Sequence, residues 1–193
     1  MKIYGDARSG NCLKVKYTAD HLGLEYQWVD IDIFAGESRT PAYLANFPQG
    51  QVPGIELSDG RCLAQSNAIV RYLAAGTSLL PADMFLQAKV DEMLFWEQYS
   101  HEPYIAVCRS LMVYQGRAAA DREPWRVERG EHALDLLERR PTSQRWLASD
   151  AFTVADIALL AYTRIAPEGG FDSSTRPKLR AWIKRCELEL GLP

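Results

Sequence analysis

Histidine is scarce, with three in 193 residues, and none stands at metal-ligand spacing from another histidine or a cysteine. The four cysteines, Cys12, Cys62, Cys108 and Cys186, lie far apart and form no CxxC pair, which argues against zinc. In a reducing compartment they read as free thiols, mostly core filler. Long apolar runs are also missing. Charge interrupts every hydrophobic stretch within a few residues, so none has the length to span a bilayer. The N-terminus enters a strand without a signal-peptide pattern, and the chain is expected to be cytoplasmic. No Lys/Arg stripe stands out and the net charge is −3, which makes nucleic acid a poor partner. Internal repeats and low-complexity tracts are absent, so solenoid and linker classes drop out.

What remains is 47% hydrophobic residues, enough for one or two domains with real cores. Lys2-Ile3-Tyr4 reads as a strand, Cys12 to Leu22 as a helix closed by Gly23, and Tyr26 to Ile33 as an alternating second strand. That spacing is a βαβ unit with a parallel pair. Thr40-Pro41 starts a short helix through Asn46, with Thr40 at the N-cap and proline at the first helical position. Asp59-Gly60 between Ile55-Glu56-Leu57 and Arg61-Cys62-Leu63-Ala64 signals a hairpin. Ser66 then caps a helix from Asn67 to Ala75. Gly76 to Asp83 reads as a linker, and everything beyond it is helical in pattern. The spacing predicts one long helix from Gln87 to about Tyr114, kinked at Pro103, then helices over Pro124–Arg139, Val154–Ile165 and Pro177–Leu190. The third is almost wholly apolar and should be central. Phe152-Thr153-Val154-Ala155-Asp156-Ile157 places a capping box and a hydrophobic staple at its start.

The chemistry-bearing stretch runs from Tyr4 to Gly23. A turn, Gly5 to Asn11, crowds a hydroxyl, an amide and a thiol (Ser9, Asn11, Cys12) around one helix N-terminus. Unpaired N–H groups and a partial positive charge make that end a site for an anion. A thiol in the first turn can have a lowered pKa there. His21 and His132 read as helix-surface residues, and Tyr4 as core packing.

Four features, in this order and spacing, resemble the glutathione transferase superfamily across essentially the whole chain. They are Ser9-Gly10-Asn11-Cys12-Leu13-Lys14-Val15, Val52-Pro53, Gln65-Ser66-Asn67-Ala68-Ile69, and Phe152 to Ile157. The resemblance implies an α/β thioredoxin-like N-terminal domain over residues 1–78. An all-helical domain over 85–193 would form the electrophile pocket. It implies a bacterial-type enzyme with glutathione as co-substrate and no metal, detoxifying small hydrophobic electrophiles as a cytoplasmic homodimer, without nucleic-acid or membrane partners. It places Ser9 at the family's Ser/Cys/Thr active-site position. Asn11 matches the asparagine of the nu-type enzymes, which is thought to contact the sulfur. Cys12 lies beyond the beta-type cysteine and reads first as a core thiol, with a glutathione mixed disulfide as the alternative. Val52 before a cis Pro53 would pair with the peptide, Ser66 would take a carboxylate, and Gln65 would bond the amine without an acid's charge. Arg39 or Gln51 would reach the remaining carboxylate. Tyr104 and Cys108, one helical turn apart, would line the electrophile pocket beside the Pro103 kink.

The energetics suit that division of labour. Lowering a thiol pKa by about 2 units needs roughly 2.7 kcal/mol. A hydrogen bond to a charged group supplies about 1.5–3 kcal/mol, and a helix N-terminus about 0.3–1 kcal/mol or somewhat more when partly buried. Serine plus the helix end is therefore sufficient. Two other readings stand beside conjugation: glutathione-dependent disulfide reduction or peroxidase chemistry involving Asn11 or Cys12, and a non-catalytic binding or regulatory protein built on the same fold.

Overall fold

A computed structural model of the chain describes residues 1–140, 143 and 145–193. It divides into two units, Met1–Thr77 and Ser78–Pro193. The first holds β1 (Lys2–Gly5), α1 (Gly10–His21), β2 (Gln27–Asp30), α2 (Pro41–Asn46), β3 (Gly54–Glu56), β4 (Cys62–Ala64) and α3 (Ser66–Ala74). The sheet order is β2-β1-β3-β4. β1 runs parallel to β2, with Ile3 opposite Trp28, and antiparallel to β3, with Ile3 opposite Ile55. Ile3 and Ile55 are buried, as are Val15 and Ala19 of α1 and Ile69, Val70 and Ala74 of α3. These residues form the unit's core, and they bring the start of α1 and the start of α3 to the same neighbourhood. β2 is shorter than the Tyr26–Ile33 pattern because Asp32 turns the chain, accepting from the N–H groups of Phe34 and Ala35.

The second unit contains α4 (Met84–Trp96), α5 (Glu102–Arg109), α6 (Pro124–Glu138), α7 (Val154–Thr163) and α8 (Pro177–Leu190). The long helix expected from Gln87 to Tyr114 is interrupted twice. π-helical turns occupy Glu97–His101 and Ser110–Tyr114. Pro103 accounts for the first: it donates no N–H, and its ring needs room where the carbonyl four residues back would sit. The backbone widens just before it, and His101 leaves the helical region at φ −125°, ψ −65°.

All ten residues of α7 are buried. Asp156 makes that tolerable for the helix's start. Its carboxylate accepts from the N–H and hydroxyl of Thr153 (3.1 and 3.2 Å), from the N–H of Leu147 (3.0 Å) and from Trp182 Nε1 (3.0 Å). The N–H of Val154 is taken by the carbonyl of Leu79 at 3.0 Å.

Candidate active site

Three loops of the first unit carry the residues singled out above. The first is the turn between β1 and α1. Asp6 is buried, and its carboxylate takes the N–H, Nε and Nη2 of Arg8 at 2.9, 2.8 and 2.6 Å. Arg8 Nη2 also reaches Asp32 at 2.9 Å, and its guanidinium lies over the Phe34 ring. The carbonyl of Asp6 receives the N–H of Ser9 at 2.9 Å. Ser9 is thereby held in extended backbone at the N-cap of α1 (φ −86°, ψ 122°), and its hydroxyl makes no capping bond to the helix. α1 begins at Gly10, two residues earlier than the sequence pattern, so Ser9 is the residue at its mouth.

Asn11 sits in the first turn, and its carboxamide oxygen accepts from two side chains. Lys14 Nζ donates at 2.7 Å and Ser66 Oγ at 3.2 Å. Lys14 is fully buried, which is unusual for lysine and indicates that its ammonium belongs to a polar network. With the oxygen committed to these donors, the nitrogen is the other arm of the amide, and that arm is a donor. Ser66 is not the cap of α3 that the sequence pattern predicts. The helix starts one residue earlier, with Gln65 at the N-cap, so the Ser66 hydroxyl lies inside the first turn and ties α3 to α1 instead.

Cys12 does not carry the lowered pKa that a first-turn thiol can have. It is 0% exposed, and its Sγ receives the N–H of Asp6 at 3.3 Å. Burial pushes its pKa up to about 11, although the Asp6 N–H and the Ser9 hydroxyl pull the other way. In the first turn of a helix the dipole favours a thiolate, but desolvation outweighs it at a site closed to water. At neutral pH the thiol form dominates. Cys12 is a packed core thiol.

The second loop is Gln49 to Pro53. The Val52-Pro53 peptide bond is cis. Tyr43 donates its hydroxyl to the carbonyl of Gln51 at 2.7 Å, and burial raises the Tyr43 pKa. Tyr4, Tyr43 and Phe47 pack as an aromatic group beneath, with ring centroids 5.0–6.2 Å apart. A Cβ at Gly54 would lie 2.5 Å from Phe47, so only glycine fits there. The loop is thus pinned on both sides of Val52, whose own backbone makes no hydrogen bond to another described residue. Exposed Arg39 lies along the loop, donating to the carbonyl of Gln49 at 3.2 Å.

The third loop is the turn into α3. Gln65 has φ +70°, the sole non-glycine residue with positive φ among the described residues. Its Nε2 donates to Gln49 Oε1 at 2.6 Å. Such a backbone costs of order 1–3 kcal/mol and is the kind of strain that gathers at ligand sites.

In the second unit, Tyr104 lines an open groove with Tyr99, Trp125 and Arg129, and Arg129 Nη1 donates to its hydroxyl at 3.1 Å. Cys108 does not join it. Its side chain is fully buried and burial raises its pKa, so it offers no surface to a ligand. The helical turn from Tyr104 to Cys108 points the thiol into the unit's core.

Comparison with known proteins adds an independent line. The model of the glutathione S-transferase N-terminal domain matches residues 1–75 and that of the C-terminal domain matches 111–188. A glutathione S-transferase of Arabidopsis thaliana is 31% identical, covering 94% of this chain and 89% of its own. The chain belongs to the glutathione S-transferase family. Among solved structures, a glutathione S-transferase from Pseudomonas fluorescens is 46% identical with a TM-score of 0.92, over 96% of this chain and 94% of that one. A second, from Xanthobacter autotrophicus, is 39% identical with a TM-score of 0.91, over 96% and 92%. The similarity also reaches a maleylacetoacetate isomerase of Rhizobium meliloti, 30% identical over 95% of this chain and 90% of its own. The fold is that of a glutathione transferase, a thioredoxin-like domain and an all-helical domain, and glutathione is the co-substrate of the family.

For a glutathione transferase, four contributors went unread in the sequence. Asp6, Arg8, Lys14 and Gln49 carry no reading of their own in the sequence. The signal that was available is the run of small and polar residues around them; which of them meet depends on how α1, α3 and the loops close together.

Proposed function

We propose that this chain is a bacterial-type, serine-type glutathione transferase that joins the glutathione thiolate to a small hydrophobic electrophile. The observation that carries this reading is the state of Ser9: fixed at the mouth of α1 by the Asp6–Arg8 turn, with a hydroxyl not spent on capping. A hydroxyl so placed donates to a thiolate, and the helix end adds its field. The Asn11 nitrogen is a second donor on the same turn. Val52 offers unpaired backbone to the peptide, as in strand addition. The start of α3 at Ser66 takes a carboxylate, Gln65 the amine, and Arg39 or Gln51 the other carboxylate. The groove lined by Tyr104 is the proposed electrophile-binding surface of the helical unit. The domains are assigned to 1–78 and 85–193, and the enzyme is proposed to work as a cytoplasmic homodimer in detoxification. Burial of Cys12 disfavours disulfide exchange through that thiol and leaves conjugation ahead of glutathione-dependent reduction.

The deciding experiment compares wild type with Ser9→Ala, using glutathione with an aromatic chloride and, separately, a model disulfide, over pH 6–9. Loss of one hydrogen bond to a charged sulfur predicts roughly a 10- to 100-fold fall in kcat/KM. It also predicts a raised pKa for bound glutathione. An unaltered pH profile in Ser9→Ala would transfer the role to Asn11. Glutathione binding without turnover of either substrate would favour a binding protein.

A further inference from the structure

The two arms of the Asn11 carboxamide are nearly equal in size, yet only one of them serves a thiolate. The nitrogen donates to an anion, whereas the oxygen presents lone pairs and repels it. Which arm faces the sulfur therefore decides whether Asn11 helps or hinders ionisation, and the groups that meet the other arm make that choice.

Two side chains meet it, and they are not equivalent. Ser66 Oγ lies 3.2 Å from Asn11 Oδ1. A hydroxyl donates and accepts, so it would satisfy the amide turned either way. Lys14 Nζ lies 2.7 Å from the same oxygen. An ammonium has three donors and no acceptor, so only the oxygen fits beside it. A flipped amide would set its own N–H groups against the ammonium and lose that bond. Of the two contacts, the one to Lys14 is the one that selects an orientation.

The setting of Lys14 makes the selection firm. It follows Asn11 by three residues on α1, which puts both on one face of the helix. Its carbonyl accepts from the Thr18 hydroxyl at 2.9 Å, and its side chain is 0% exposed. A hydrogen bond from an ammonium withdrawn from water is not readily exchanged for one to solvent. An apolar side chain of similar length would fill the same room without the cost of desolvating a charge, so the use of this ammonium lies in what it holds. We propose that Lys14 is a positioning residue: through the Asn11 oxygen it fixes the carboxamide with its nitrogen toward the glutathione sulfur. The proposal rests on the reading that Asn11 faces that sulfur, and it gives Lys14 no contact with substrate.

The test follows thiolate absorbance against pH in the glutathione complex of the full-length protein, with kcat and KM for conjugation of an aromatic chloride. Lys14→Gln keeps a donor but adds an acceptor, so the Asn11 amide is released to turn. The pKa of the bound thiol should rise by roughly one unit and kcat below that pKa should fall about three- to tenfold, with KM for glutathione within about twofold of wild type. Lys14→Arg is again a donor without an acceptor and should restore the wild-type profile. In an Asn11→Ala background, Lys14→Gln should move neither quantity further, because its route to the sulfur is gone. A wild-type profile in Lys14→Gln overturns the proposal. So does an equal rise in the Asn11→Ala background, which would mean that the ammonium acts by its charge, and so does an Arg variant as impaired as the Gln variant. If wild type itself shows no lowered thiol pKa, the thiolate reading of the site falls and the proposal falls with it; a lowered pKa that Lys14→Gln leaves alone strikes the proposal only. Should Lys14→Gln not fold, Lys14→Met takes its place with the same expectations. The Asn11 carboxamide signals of the wild-type protein, read by nuclear magnetic resonance, need no change at Lys14. They should move as bound glutathione ionises and stay fixed with S-methylglutathione, and unmoved signals overturn the proposal.

Discussion

Asn11 has two jobs that a single substitution can separate. Its oxygen accepts from Lys14 and Ser66, and its nitrogen is the arm proposed to face the sulfur. Asn11→Ala removes both and strips two buried or half-buried donors of an acceptor, a loss of about 1–3 kcal/mol in stability. Asn11→Asp keeps the acceptor and removes the donor. Its melting temperature should stay near wild type, while the pKa of bound glutathione rises because a carboxylate now sits beside the thiolate. Thiolate absorbance against pH reads this directly; a bound-thiol pKa unmoved in Asn11→Asp would take Asn11 out of the sulfur's environment. The neighbouring turn answers to acid. Burial pushes Asp6 up, yet its bonds from the Arg8 side chain and N–H outweigh that, and its pKa lies below the ordinary 3.8. A carboxyl lowered on folding contributes stability that is complete above the unfolded pKa and is lost as pH falls through the folded one. Arg8→Leu should therefore move the acid-unfolding midpoint to higher pH, followed by circular dichroism between pH 5 and 2, with little change at pH 7 in the fold of the sheet.

At the scale of elements, the start of α7 shows what a sequence can carry. Thr153 and Asp156 are three apart, so their bond is local and its residue types announce it. What the local pattern hid is that the same carboxylate also accepts from Leu147 and Trp182, from 9 and 26 residues away. The two substitutions should therefore differ. Thr153→Ala loses one hydroxyl donor and should cost about 1 kcal/mol. Asp156→Ala leaves several buried donors unpaired and should cost about 3 kcal/mol or more. Urea unfolding of both variants checks the order, and equal losses would mean the distant bonds add nothing. The same logic sorts the candidate site. Thr40-Pro41, the Asp-Gly hairpin and the order of strands and helices were legible because each is written within a few residues. Gln65's positive φ was not, since nothing about glutamine favours that conformation and the surrounding loops impose it. Cys12 shows the same limit: its position on the helix is local, but the burial that decides its pKa is set by the whole unit.

At the scale of the molecule, the residues joining the two units are not a passive tether. Gly76 to Asp83 is rich in small residues and turn formers, and it reads as a linker. Leu79 and Leu80 are nevertheless buried, and the carbonyl of Leu79 accepts the N–H of Val154, the first residue of α7. The segment after Thr77 thus supplies a partner that an apolar helix cannot find in water, as well as a core side chain. A flexible connector would tolerate substitution; a core residue would not. Leu79→Ala should cost about 2–5 kcal/mol, the range for a buried leucine, whereas exposed Ser78→Ala should stay within about 0.5 kcal/mol of wild type. Tryptophan fluorescence is the suitable reporter, because Trp96, Trp125, Trp146 and Trp182 lie in the second unit and only Trp28 in the first. Under urea the emission midpoint of Leu79→Ala should fall well below that of Ser78→Ala, with the denaturant slope unchanged. Equal midpoints would show that the second unit's core closes without the Leu79 side chain.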